Sequence, residues 1–218
     1  MKHRCRNLLL VTLLVLFQST AQANDPIPFV PSPMVVVDRM LELAEIRGDD
    51  VIYDLGSGDG RVLIQAAKKY RARGIGVDLN PQLVEQAKIK AAEAGVSHLV
   101  EFRAGDGLKV DISEATVVTL YMYKWFNNQL RPKLQRLKPG SRVVAHDFDI
   151  DDWKPTKIEY VNPGSDPSGE LLEPRTLYLW KIAKPSAEPK AASQSSPITH
   201  SQPSQTGLTL NKRSTLFM

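Results

Sequence analysis

The sequence predicts an α/β fold, a three-layer sandwich in which a mostly parallel, seven-stranded sheet lies between helices and closes with an antiparallel hairpin. Three observations predict it. Between residues 51 and 148, short apolar and β-branched runs alternate with helical stretches whose apolar positions recur at i, i+3 and i+4. Acidic and glycine-bearing turns follow the ends of the first three strands. The last two strand-like runs, 156–161 and 175–182, have no helix between them, so they read as a hairpin at a sheet edge.

The elements follow in order. Ser32-Pro33 can cap and start a helix, in which Val37, Met40, Leu41 and Ala44 form one apolar face before Gly48-Asp49-Asp50 ends it. Val51–Leu55 is a short apolar strand, and 61–70 is helical. Gly74–Asp78 is the second strand. Asn80-Pro81 supplies an N-cap and a first-turn proline to a helix that Gly95 stops. Leu99–Arg103 is the third strand and Ala115–Tyr121 a strongly β-branched fourth. Phe126, Leu130, Leu134 and Leu137 mark another helix, which Pro132 should kink or restart. Arg142–Phe148 is the fifth strand, and the hairpin follows.

Both ends of the chain read differently. Lys2, Arg4 and Arg6 precede the apolar run Leu8–Phe17, and Ala21-Gln22-Ala23 is a small-x-small site. This is the pattern of a secretory signal peptide over 1–23, cleaved after Ala23, and it predicts an exported protein, periplasmic or secreted. Ten apolar residues are about half of a bilayer span, so no membrane span is expected in the mature chain. Cys5 is the only cysteine and lies in this leader, which excludes disulfides and thiol chemistry from the domain at 24–183. Residues 184–218, rich in Ser, Pro, Gln and Thr, read as a disordered tail. The whole chain carries 28 basic and 24 acidic residues, but 24–183 carries 21 and 23. The basicity belongs to the ends, and no nucleic-acid-binding face is expected on the domain. No metal-ligand cluster is visible either.

The chemistry concentrates at strand ends. Asp54-Leu55-Gly56-Ser57-Gly58-Asp59-Gly60 follows the first strand and opens a helix; its glycines permit a sharp turn and close approach of a ligand. Asp78, with Leu79 after it, ends the second strand, where a carboxylate can accept both hydroxyls of a ribose. Gly105-Asp106 follows the third, where a carboxylate can accept an adenine amine. Each alone reads equally as a tight turn or a solvated acid. Together they fall where open α/β sheets bind ligands.

This set resembles the class I, Rossmann-like methyltransferases, with DLGSGDG similar to their motif I. The resemblance implies S-adenosyl-L-methionine as cofactor, Asp78 as the ribose acid and Asp106 as the adenine acid. An NAD-dependent oxidoreductase is disfavoured: Gly60 comes one residue early for the phosphate-binding glycine pattern, and Asp59 would repel a pyrophosphate. The segment Pro28-Phe29-Val30-Pro31-Ser32-Pro33 before the first helix, and Tyr178-Leu179-Trp180 near the end, are similar to the small lysine methyltransferases that modify the c-type ring protein of ATP synthase and the adenine nucleotide translocase. That resemblance implies that Phe29, Val30 and Pro31 touch the cofactor, whereas the local reading of Ser32-Pro33 is a helix cap.

The methyl acceptor is open between a protein lysine and a small molecule, and so is the oligomeric state. Candidates near the ends of the fourth and fifth strands are Tyr121, His146, Asp147 and Asp149, with Trp153 close behind. Acids beside an aromatic can hold a cationic amine, but a charged loop leading to the hairpin accounts for them equally. A non-catalytic cofactor-binding protein of the same fold is the alternative, since an exported enzyme is separated from the cytosolic supply of its cofactor.

Overall fold

A computed structural model describes residues 28–165 and 168–183; the predicted leader and tail lie outside the described residues. The elements are α1 (Met34–Leu43), β1 (Val51–Leu55), α2 (Arg61–Tyr70), β2 (Arg73–Asp78), α3 (Pro81–Glu93), β3 (Val100–Ala104), β4 (Val117–Leu120), α4 (Lys124–Leu134), β5 (Arg142–His146), β6 (Lys157–Val161) and β7 (Arg175–Lys181). They form one seven-stranded sheet in the order β3-β2-β1-β4-β5-β7-β6. Strands β1 to β5 are parallel, and β7 runs antiparallel to both β5 and β6. This is the predicted three-layer architecture with its terminal hairpin.

Strand alternation sends successive side chains to opposite layers. Ile52, Val117, Val144, Leu177 and Leu179 join the layer holding α1, α2 and α3. Tyr53, Leu55, Val118, Val143 and Trp180 join Phe126, Leu130 and Leu134 of α4 on the other face. At the amino-terminal ends of the strands, Asp50 accepts from Arg142 Nη2 (2.7 Å) and from Thr116 Oγ1 (2.6 Å). This buried cluster pins β1, β4 and β5 together and leaves their carboxyl ends to carry the chemistry.

Several local expectations are corrected. Pro33, not Ser32, is the N-cap of α1, and no side chain caps the helix. The helix also stops at Leu43, well before Gly48, and Glu45 adopts a positive φ of 53° just beyond it. Pro132 does not restart α4; it sits in the last turn, and the helix ends two residues later. Strand β5 stops at His146 because Asp147 turns the backbone to a φ of 60°. Asn80 caps α3 as its sequence indicates, its side chain accepting from the amides of Gln82 and Leu83. Among the described residues no helix is long and apolar enough to cross a membrane.

Candidate active site

The chain winds outward from β1 through β2 to β3 on one side and then crosses back to β4 on the other, and this reversal opens a crevice above the carboxyl ends of β1 and β4. A cavity of about 570 Å³ occupies it. That volume lies in the range of small-molecule sites, roughly 300–1,000 Å³. Its floor is the β1–α2 loop with Asp54, Gly56, Ser57 and Gly58; one side carries Asp78, Leu79 and Gly105; the roof is Pro28–Ser32; the far wall is Tyr121, Met122, Tyr123, Phe126 and Phe148.

The acids divide into two kinds. Asp54 is buried and accepts a 2.7 Å hydrogen bond from Thr119 Oγ1. Burial pushes its carboxyl up to about 7 against the help of Thr119, with the charges of Asp78 and Asp59 adding to the rise. Asp78 accepts from the Gly58 amide (2.8 Å) and the Asn80 amide (2.9 Å), so it stiffens the loop it faces. Asp59 is different. Arg61 Nη2 (2.8 Å) and Lys90 Nζ (2.6 Å) both bind its carboxylate, and these partners outweigh burial to hold it down at about 2. Its charge is therefore matched by cations, whereas Asp54 holds its proton up to about pH 7 until a cation enters the cavity.

The roof is tied down by name. Arg61 Nη1 donates to the Ser32 carbonyl at 2.7 Å while the same guanidinium holds Asp59. Gly58 has a φ of +53°, and a Cβ there would overlap the Phe29 ring, so the ring lies directly on the glycine. Ser32 Oγ reaches His146 Nδ1 at 2.9 Å. At Ser32-Pro33, then, the serine serves the roof and not the helix start.

The structure places the other sequence candidates as follows. Phe29, Pro31, Asp54, Gly56, Ser57, Gly58, Asp78, Leu79 and Gly105 line the cavity. Gly60 and Asp106 do not. Gly60 packs inward, where a Cβ would meet Phe102 Cζ at 2.6 Å. The Asp106 carboxylate accepts from the Leu108 amide (2.9 Å) and faces Lys109. Of the four acceptor-side candidates only Tyr121 lines the cavity. His146 is fully buried behind it, the ring centroids 3.8 Å apart and stacked. Asp147 pairs with Arg175 (3.0 Å), and Asp149 with Lys124 (2.9 Å), so both carboxylates are engaged. Met122, Tyr123 and Phe148 also line the site; the sequence signals the first two only through the aromatic density after the fourth strand, and Phe148 only as the end of the fifth.

The residues present fit S-adenosylmethionine. Two carboxylates face a cavity that must take a sulfonium and an ammonium, and the buried Ser57 hydroxyl in its wall has no hydrogen-bond partner among the described protein groups. Strand order, terminal hairpin and paired acids define the class I methyltransferase site.

The comparisons with known proteins agree. The ANTKMT methyltransferase domain matches residues 54–157. A protein-lysine N-methyltransferase of Saccharolobus islandicus is 43% identical over 160 residues, covering 72% of this chain and 95% of the relative. The lysine N-methyltransferase of Xenopus laevis named for the C subunit of ATP synthase is 35% identical over 133 residues, covering 61% of this chain and 58% of its own length. Among solved structures, an RNA methyltransferase from Salinibacter ruber in complex with S-adenosyl-L-homocysteine is similar with a TM-score of 0.63 at 51% identity, covering 73% of this chain and 97% of that one. The chain belongs to the protein-lysine N-methyltransferase family of the Saccharolobus relative and is an S-adenosylmethionine-dependent methyltransferase.

Proposed function

We propose that this methyltransferase modifies the ε-amine of a protein lysine. The observation that carries the reading is the far wall of the cavity. Phe148 packs against Tyr121 (6.3 Å between centroids) and edge-on to Tyr123 (5.6 Å), and all three rings line the site. Tyr123, in that wall, is about half-exposed. A long unbranched side chain can lie along such a wall, its stem against the rings. The acids nearby do not compete for the amine, because Asp147 and Asp149 already have cationic partners. The relatives named as lysine methyltransferases support the same acceptor.

The chemistry follows from the residues. When bound, S-adenosylmethionine supplies a methyl group already activated by its sulfonium charge, so the chain's task is alignment and control of water. Asp54, Ser57 and Asp78 would hold the donor; the aromatic wall would desolvate the amine, which favours its neutral, nucleophilic form. The ring faces of Tyr121, Tyr123 and Phe148 would stabilise the positive charge that a methylated amine acquires, and water would take its proton.

Labelling a lysate with tritiated S-adenosylmethionine tests this. Acid hydrolysis should release label as methyllysine, and protease should remove it. An RNA acceptor is the competing reading, favoured by the name of the Salinibacter structure and opposed by the slight excess of acidic over basic residues in 24–183. Label lost to ribonuclease and not to protease would sink the lysine reading.

The leader at 1–23 supports export of the protein, and the acceptor would then be met outside the cytosol. Mass spectrometry of the mature amino terminus checks this: a chain that begins at Asn24 agrees with it, and an intact Met1 contradicts it.

A further inference from the structure

We infer that His146 is a positioning residue: through one hydrogen bond to Ser32 and one ring stack on Tyr121, it couples the closing of the roof over the cofactor to the placement of the acceptor wall. The groups involved come from three separate parts of the chain. Ser32 lies in the roof segment, Tyr121 just after β4, and His146 at the last residue of β5. Ser32 is buried and His146 is fully buried, so water does not substitute for either partner.

The roles can be assigned atom by atom. His146 Nδ1 lies 2.9 Å from Ser32 Oγ. Its Nε2 lies 3.5 Å from Asp147 Oδ2, too far for a formed hydrogen bond but on the side that favours an N–H there. Burial keeps the ring neutral at ordinary pH, its value pushed down to about 4. A neutral ring with its proton on Nε2 has an acceptor at Nδ1, and the Ser32 hydroxyl is the donor. The Ser32 carbonyl is meanwhile held by Arg61. One residue of the roof is thus gripped from the cofactor side by its carbonyl and from the acceptor side by its hydroxyl. The 3.8 Å stack then fixes the Tyr121 ring, the one acceptor-side candidate that reaches the cavity. A roof that lifts takes away the only side-chain hydrogen bond found for His146 among the described residues, and with it the restraint on Tyr121.

A double-mutant cycle tests the coupling. Ser32→Ala and His146→Phe, the latter keeping a ring on Tyr121, should each weaken S-adenosylhomocysteine binding about threefold to tenfold, the usual worth of one hydrogen bond. The double variant should be no worse than either single one, and Ser32→Thr should bind as the parent does. Additive losses would overturn the coupling. With poly-L-lysine as methyl acceptor, Ser32→Ala should lower kcat as well as raise the cofactor KM; an unchanged kcat would remove Tyr121 from the device. An enzyme inert toward poly-L-lysine would count against the lysine reading, and the binding cycle would still decide the coupling. Histidine nitrogen NMR of the unaltered protein needs no variant. It should show His146 with an unprotonated, hydrogen-bonded Nδ1, and a protonated Nδ1 would overturn the assignment.

Discussion

Thr119 and Asp54 sit side by side on β4 and β1, and the threonine hydroxyl donates to the carboxylate at 2.7 Å where both are buried. The sheet thus presents an acid at the cavity floor that is costly to ionise until a cation arrives.

This gives a pH dependence with a definite sign. Asp54 holds its proton more tightly in the folded, ligand-free protein (about 7) than in the unfolded chain (3.8). Its contribution to stability is therefore complete below about pH 4 and is lost as pH rises through 7. Urea denaturation of the ligand-free protein should show this loss between about pH 4 and 7, and Asp54→Asn should reduce it. Affinity for S-adenosylmethionine should move the opposite way, rising from about pH 6 to 8, because the ionised acid meets a cationic ligand. Asp54→Asn should flatten that rise and weaken binding by about tenfold to a hundredfold, as expected for loss of a charged partner. Titration calorimetry at the two pH values reads both effects.

Asp78→Ala removes the acceptor for the Gly58 and Asn80 amides as well as a cofactor-facing acid. Binding of S-adenosylmethionine and of its demethylated product should both fall at least about tenfold. Asp78→Asn, which keeps one acceptor oxygen, should lose less. Equal affinity in the alanine variant would show that the acid faces the cavity without holding anything.

Gly58 and Gly60 belong to one loop and should fail in different ways. Gly58→Ala drives a methyl into the Phe29 ring and strains a positive φ, so it should raise the cofactor Kd sharply, with Phe29→Ala restoring part of the loss. Gly60→Ala meets Phe102 and Ala87 behind the loop, so its first effect should be on thermal stability, at about 1–3 kcal/mol. Calorimetry of binding and of unfolding on the same samples separates the two.

Arg61→Ala leaves the buried Asp59 with Lys90 alone and frees the Ser32 carbonyl. Destabilisation of about 1–3 kcal/mol is expected from the under-partnered acid. Proteolysis within Pro28–Ser32 should also become faster and should no longer be slowed by S-adenosylhomocysteine. A roof equally protected in the variant would show that Arg61 serves the loop only.

Much of this molecule is legible in its sequence because its signals are local. The β-branched run around Val117–Leu120 can be little but a buried strand, and Asn80-Pro81 announces a helix start by its own hydrogen bonds. The acids at Asp54 and Asp78 are readable because a parallel sheet delivers the ends of its strands to one edge. What stays hidden depends on contacts between distant residues. Nothing local distinguishes Ser32 as a cap from Ser32 as the partner of His146, 114 residues away. His146 and Asp147 read as a polar pair, yet the chain buries the first and turns the second toward Arg175. Asp59 has one cation two residues away, Arg61, but its second, Lys90, lies 31 residues further on and only the fold brings it in.

The hairpin has a consequence for the order in which the protein is made. Strand β7, the last of the described elements, is not at the edge of the sheet but lies between β5 and β6. Its Leu177, Leu179 and Trp180 are buried, the first two in one layer and the third in the other. A ribosome that has released everything up to Val161 has therefore delivered a sheet with a slot in it and two unfinished cores. Nascent chains that stop before Arg175 should remain sensitive to protease, and those extended past Ile182 should become resistant in one step. For this polypeptide the sheet and both of its layers close only once the last described strand is in place.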